Sequence, residues 1–407
     1  MKKKLAKNSI IYLGTEILNK SIPFLLLPIL TKYLTTTEYG LYGMYQVFLS
    51  FFVPFVQMGL HSNITRNFFK VSKETLSRVL NTIIIILHLN ILVGLILIFI
   101  ISLFYNNIFG LPIKTLYLMP LIIYAQTINI FTLTIFRNEE RAFNYGILQF
   151  LITLFNFGSA VILLLYFDTG WMSLVYGLLI GNFVFIAYSF LFLKKEFNID
   201  FKEFYSFKEI YAISIPLIFH LLGSSIIFLS DRIFIQQMLG LKEVGLYVVG
   251  SQFGAITMIV INSIILAVNP WMYKKLADNL NIQKEILILM GIFFVIGIFV
   301  WLTDLIILPY LVESSYLDAK NVIFWISLAF IFRGWYQLYY NIILNTGKTK
   351  IFMYITFGTG VLNIILNYIL IKQNGIIGAS QATAIAFFVM FLSTAIFSKN
   401  YIKREKN

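Results

Sequence analysis

The sequence predicts an all-α integral membrane protein of about twelve transmembrane helices, arranged as two six-helix bundles related by a parallel internal repeat. Three observations carry this. The chain of 407 residues is 59% hydrophobic and only 12% charged, with a mean hydropathy of +0.85. Soluble domains are about 25% charged, so the apolar excess needs lipid as solvent. The apolar residues run in stretches of about 20 or more, the length that crosses a bilayer as a helix. The basic residues and one sequence motif then recur in step with those stretches.

In order, the predicted spans cover about 8–33, 40–60, 80–105, 112–137, 141–167, 171–193, 209–233, 244–273, 285–309, 321–345, 350–371 and 376–398. They are long and continuously apolar, whereas barrel strands would be short and alternating. The start, Met1-Lys2-Lys3-Lys4, resembles a signal-peptide n-region. The apolar stretch behind it runs to about Tyr33, carries Glu16 and Lys20, and lacks a small-x-small cleavage pattern. It is read as a retained first helix. Pro23 and Pro28 should kink it. The longest inner connector, 198–208, joins an N-terminal bundle at 1–197 to a C-terminal bundle at 209–407. The longest outer loop is placed around Thr303–Lys320, with little chemistry in it.

Of the 31 Lys and Arg residues, 23 fall in connectors on the side of the N-terminus and 5 on the other, alternating loop by loop. Positive residues gather on the cytoplasmic side, so both termini are expected inside a bacterial cytoplasmic (inner) membrane. The other three, Lys20, Arg232 and Arg333, lie within or at the ends of spans. Glu38-Tyr-Gly-Leu-Tyr42 recurs as Glu243-Val-Gly-Leu-Tyr247, each opening the second helix of a half. Both halves begin inside, so the duplication is parallel, about an axis along the membrane normal, as in some transporters.

A formal net charge of +13 on a soluble protein would suggest nucleic acid. Here the charge sits in membrane connectors, and no nucleic-acid partner is expected. The absence of cysteine removes disulfides, thiolate catalysis and iron–sulfur clusters. No cofactor or metal is expected. Gly347-Lys348-Thr349 looks like the end of a phosphate-binding loop, but Ile342 stands where that motif needs glycine. Asn63-Ile64-Thr65 matches a glycosylation sequon by chance, being in a predicted cytoplasmic loop.

Charged groups inside spans are costly and mark cavities, partners or ligands. Glu16 and Lys20 share one face of the first helix in the favourable order. They form either a self-neutralising pair or the charged wall of a central cleft. On the seventh span, Pro216, His220, Ser224 and Asp231 share roughly one face. Asp231-Arg232 is either an interfacial pair or part of a site, and a lone His220 is more often structural than a proton relay. Arg333 sits halfway along the tenth span with no acid on its own helix, and Gln337 and Tyr340 share its face. It needs an acid from another helix, water or an anionic ligand. Asn363 and Asn367, four apart, are read as interhelical hydrogen-bonding residues.

Several of these segments resemble a known family. The run Pro28-Ile-Leu-Thr-Lys-Tyr-Leu-Thr-Thr-Thr-Glu-Tyr-Gly-Leu-Tyr42 is similar to the first-loop signature of Wzx-type O-antigen/polysaccharide flippases. So are the run from Ser230-Asp-Arg to Val244-Gly-Leu-Tyr247, the segment Asn269-Pro-Trp-Met-Tyr273 and the turn Asn345-Thr-Gly-Lys-Thr-Lys350. The resemblance spans nearly the whole chain. It implies two six-helix bundles, alternating access, and translocation of an undecaprenyl-diphosphate-linked oligosaccharide without enzymatic chemistry. Its superfamily includes multidrug exporters of the MATE type and lipid II flippases, the latter with two extra helices for which this chain has no room.

Lys20, Arg232, Arg333, Gln337 and Tyr340 are therefore expected to line a substrate cleft, where cations would offset the diphosphate. Glu16, His220 and Asp231 are expected to serve a coupling cation, Na+ or H+. The expected partners are the lipid-linked glycan, membrane lipid and other polysaccharide-assembly membrane proteins. The alternatives are a drug/cation antiporter, which would want an anionic cavity, and a membrane glycan polymerase or ligase, which would want a large catalytic outer loop.

Overall fold

The computed structural model describes residues 2–278, 280–345 and 350–402. The first span is split: α1 (Lys2–Leu25) gives way at Leu26 to α2 (Leu27–Tyr33). Pro28, in the first turn of α2, has no N–H to continue the preceding ladder, which places the break. Then come α3 (Thr36–Gln57), the short α4 (His61–Asn67) and α5 (Lys73–Ser102). A small hairpin, β1 (Asn107–Ile108) with β2 (Leu111–Pro112), precedes α6 (Ile113–Leu116), α7 (Leu118–Asn138), α8 (Ala142–Phe167) and α9 (Met172–Phe197).

The second half follows the same plan with longer helices: α10 (Phe207–Leu239), α11 (Leu241–Ala277), α12 (Gln283–Leu311), α13 (Lys320–Asn345) and α14 (Lys350–Ile402). Gly375, at φ 59° and ψ −140°, breaks α14 in two. Nine helical stretches among the described residues are long and apolar enough to cross a membrane, the last running 45 residues from Tyr354 to Ser398 across that break. Counting its two arms, and adding α1–α2 and α10, gives twelve spans. One boundary needs correction. Thr303 to Leu311 is helical, so the outer connector is only Val312–Glu313 and a 3-10 turn, Ser314–Ala319. Asp304 and Pro309 look like loop residues, yet Pro309 lies within the helix.

The chain forms two compact units, one of residues 1–34 and 41–225, the other of residues 35–40 and 226–407. These units follow compactness and not the repeat, so they need not coincide with a division at 198–208. In the first, α7, α8 and α9 are joined by buried amides and hydroxyls. Asn129 Nδ2 donates to the Asn182 carbonyl (3.0 Å), Ser189 Oγ to Asn129 Oδ1 (2.8 Å), and Asn182 Nδ2 to Asn156 Oδ1 (3.2 Å). Gly177 and Gly181 let α9 lie on Asn156 and Ala160 of α8. In lipid, where apolar burial drives little, such small residues and polar pairs hold helices together. The connector after α9 is strapped to the start of α5: Asn81 Nδ2 donates to the Glu203 carbonyl (2.9 Å), and Arg78 pairs with Glu203 (2.7 Å).

In the second unit, the seam of α11, α12 and α13 is filled by Ile261, Ile265, Phe293, Ile331, Leu338 and Ile342. A second face of α13 packs Ala329, Phe332 and Tyr336 against Ile355, Ala384 and Phe387 of α14. The repeated motif also meets itself here. A Cβ on Gly40 would stand 2.0 Å from the Leu241 carbonyl oxygen, and one on Gly245 would stand 1.9 Å from the Thr36 carbonyl oxygen. Both contacts join positions related by the same sequence offset, so the crossing is reciprocal, as about a two-fold axis.

Candidate functional site

In the first unit, α1 carries Glu16 and Lys20 on one face. Lys20 Nζ lies 2.7 Å from Glu16 Oε1, with the side chains 39% and 56% exposed. The expected pair forms, and in water such an exposed pair contributes only about 0.5 kcal/mol. A cavity of about 310 Å³ lies between the start of α5 and the end of α9, lined by Lys73, Arg78, Glu196, Asp200 and Glu203 among others. Its cations are already paired, Lys73 with Glu196 at 3.7 Å and Arg78 with Glu203, so it offers no free positive charge. Beside it the Tyr205 hydroxyl donates to Glu209 (2.5 Å), and this bond pushes the phenol pKa up.

In the second unit, α13 presents Arg333, Gln337 and Tyr340 on the face that lies between its two packing seams. Ile331, Leu338 and Ile342 turn to α11 and α12, and Ala329, Phe332 and Tyr336 to α14. All three polar residues are half-buried. Gln337 Oε1 is enclosed without a hydrogen-bond partner, and the Tyr340 ring stands 5.7 Å from that of Tyr336. One turn past Gln337, Asn341 donates to Asn269 Oδ1 of α11 (2.7 Å) and accepts from the Tyr273 hydroxyl (2.9 Å). The polar face is thus wider than the sequence alone suggested. Asn269 and Tyr273 were visible only as family-like motif residues.

Asp231 of α10 forms a third group, also in the second unit. It is 5% exposed. Its Oδ1 accepts from the Arg232 backbone N–H (2.7 Å), and its Oδ2 from the Tyr247 hydroxyl. Next to it, Ser230 donates to Asn363 Oδ1 (3.5 Å), which also accepts from Asn367 Nδ2 (3.0 Å). Asn363 therefore makes the expected interhelical bond, to the residue that precedes the acid. Arg232 Nε and Asn367 Oδ1 are buried without partners. One carboxylate with hydroxyl and amide oxygens is the donor set of a hard monovalent cation or a proton. Among the described residues no three His, Cys, Asp or Glu side chains come together to hold a metal.

The His220 and Ser224 side chains and the Gly347-Lys348-Thr349 turn lie outside the described residues. Asp304, where the predicted span 285–309 overlaps the predicted outer loop around Thr303–Lys320, is 3% exposed inside α12. Its signal was periodic: Ile286, Phe293, Gly297, Val300, Asp304 and Leu308 form one buried stripe at helical spacing.

Comparison with known proteins joins these features. Residues 5–276 match the model of a family described as polysaccharide biosynthesis protein, and residues 216–369 match the MatE model. An Lsg-locus protein of Haemophilus influenzae is 25% identical over 368 residues, 86% of each chain. A second membrane protein of that organism is 29% identical over 291 residues, 68% of this chain and 67% of its own. Among solved structures, an inward-facing multidrug-resistance MATE transporter of the MOP superfamily superimposes with a TM-score of 0.75 at 15% identity, covering 97% of this chain and 95% of its own. The lipid II flippase MurJ superimposes with a TM-score of 0.74 at 17% identity, covering 97% and 87%. At such identities the structures speak for the fold, which is that of these multi-pass transporters and flippases.

Proposed function

Because the chain belongs to the polysaccharide biosynthesis protein family, on a MOP-superfamily transporter fold, we propose that it flips a lipid-linked oligosaccharide across the bacterial cytoplasmic membrane. The cargo is an undecaprenyl-diphosphate-linked repeat unit. It moves from the inner to the outer leaflet as its site opens alternately to each side, driven by a cation gradient. The observation that carries this reading is the Arg333–Gln337–Tyr340 face, a cation with polar neighbours halfway along a membrane helix. Placing Arg there costs about 3 kcal/mol by insertion measurements. A diphosphate repays that cost, because guanidinium binds phosphate oxygens in pairs. Lys20 adds a point charge on α1, and Arg232 lies beside the proposed ion site. Asp231, with Tyr247 and the amide oxygens, takes the coupling cation. Glu16 and His220 are secondary candidates for that role.

The test is substitution of Arg333 in a strain that depends on this protein for surface polysaccharide. Arg333→Ala should reach the membrane at normal abundance and lose at least about tenfold of the polysaccharide, the equivalent of about 1.4 kcal/mol. Arg333→Lys should retain part of it. Full export by Arg333→Ala at normal abundance would sink the reading.

A drug/cation antiporter is the second reading, favoured by the MatE match over residues 216–369 and by the buried Asp231. It predicts export of organic cations by cells that make no lipid-linked glycan, and polysaccharide that is unchanged when the protein is deleted.

A further inference from the structure

We propose that Asp304 is a proton-binding site in the seam of α11, α12 and α13, separate from Asp231. The carboxyl sits at the centre of the one buried stripe of α12, while Val295, Phe299 and Ile306 on other faces are exposed. Its Oδ2 has no hydrogen-bond partner. Two more hydroxyls of the same seam share that condition: Thr257 of α11 and Ser327 of α13, both buried, have oxygens without partners. The register follows from close contacts. A Cβ on Gly297 would touch Ile331 and Thr257, a Cβ on Gly254 would touch Ile326 and Ser327, and Trp301 packs on Phe324 with centroids 5.0 Å apart. Gly297 and Ile331 are therefore level. Ser327 lies four residues outward from that level and Asp304 seven, about 6 and 10 Å at 1.5 Å per residue. The Trp301–Phe324 contact sets the two about 9 Å apart along the axis, so Ser327 is one to two turns from the acid.

No cation on these elements is placed to pair with Asp304. Between Glu243 and Lys274, α11 carries no Asp, Glu, Lys, Arg or His, and of its two tyrosines there Tyr247 is turned to Asp231 and Tyr273 to Asn341. On α12 the nearest charged residue inward is Glu285. On α13, Lys320 is exposed at the outer end, and Arg333 lies on the face opposite Ile331. The 3-10 turn adds only Asp318 and Tyr316, with Glu313 just before it. A buried carboxylate in such a seam, with no counter-charge placed to pair with it, neutralises by taking a proton. The packing that would place Cβ atoms on Gly254 and Gly297 2.5 and 2.3 Å from Ile326 and Ile331 leaves a proton as the fitting occupant, since it needs no room. Asp304 is about 10 Å from the end of α12 at Leu311, so its exchange is with the outer side, when the seam loosens.

Protonation of Asp304 stands whatever the cargo is; only its coupling to movement rests on the transport reading. The full-length protein in detergent is treated with dicyclohexylcarbodiimide. The acid O–H adds across one C=N bond, the acyl group migrates to nitrogen, and a stable N-acylurea retains the whole reagent. The Asp304 peptide should gain that mass at mildly acid pH. Labelling should fall about tenfold per pH unit once above the carboxyl's pKa, and it should persist in Asp231→Asn. Absence of label on Asp304 at every pH would overturn the site. Protection by sodium at fixed pH would overturn the proton in favour of a metal cation. In cells, Asp304→Asn should keep its abundance and flatten the dependence of export on external pH; a wild-type pH profile would refute the coupling.

Discussion

A carboxylate inside a membrane helix survives either because donors surround it or because it is neutral, and this chain uses both solutions about one bundle. Asp231 takes the first, receiving the Arg232 N–H and the Tyr247 hydroxyl; Asp304 has no such donors. Removing one donor from a buried charged acceptor costs about 1–3 kcal/mol. Tyr247→Phe should therefore lower the melting temperature of the purified protein. Asp231→Asn, which no longer needs a charged-form donor, should be closer to wild type in stability yet lose the response of transport to the driving cation. Thermal unfolding in detergent and export under an imposed gradient check the two arms. Equal stability of Tyr247→Phe and wild type would show that this hydroxyl is not the acid's support. Spacing made Glu16–Lys20 and Arg333–Gln337–Tyr340 legible in the sequence, because i, i+4 neighbours share a helix face whatever packs around them. Asp304 was not legible, because an acid followed by Pro309 reads as the end of a helix. Only its phase with Gly297 and Val300 says otherwise.

At the scale of elements, the repeated Glu-x-Gly-Leu-Tyr motif explains its own residues. In the first copy Glu38 closes a capping box: Thr35 Oγ1 accepts from the Glu38 N–H (3.2 Å), and Glu38 Oε2 accepts from the Thr35 N–H (2.9 Å). Gly40 and Gly245 then permit the reciprocal crossing of α3 and α11. A methyl at either meets a backbone carbonyl that cannot step aside, so Gly40→Ala and Gly245→Ala should each destabilise by at least the 1–3 kcal/mol typical of overpacking, about the same for both. Membrane abundance with a folding reporter reads this, and a well-tolerated alanine at either position would contradict the crossing. The repetition itself was plain in the sequence, and so were the spans to within a few residues. The reason for the glycines was not, since a close approach is made by residues about 200 positions away. The kink at Leu26 was foreseeable from Pro28, because proline's missing N–H acts locally.

For the whole molecule, the fold says that the chain crosses the membrane repeatedly, and the charges predict in which direction. The polysaccharide biosynthesis family and the superposition on MATE and MurJ proteins leave the orientation to be read from Lys and Arg. The charges that carry this expectation stand at helix ends. Lys73 and Arg78 at the start of α5, Arg137 at the end of α7, Lys194 and Lys195 at the end of α9, and Lys274 and Lys275 at the end of α11 all fall on the side assigned to the N-terminus. The opposite ends carry single lysines, such as Lys114 and Lys242. Each helix-flanking basic residue biases retention on the cytoplasmic side, and many together fix it. Both termini and the connector at 198–208 should therefore be cytoplasmic. That connector, strapped to α5 through Arg78 and Asn81, should be inaccessible to an impermeant reagent from outside. A phosphatase that is active only outside, fused after Lys208 or after Asn407, should be silent, and one fused near Asp318 should be active. Activity at Lys208 or Asn407 would invert the topology, and with it the direction of transport proposed for the Arg333 face.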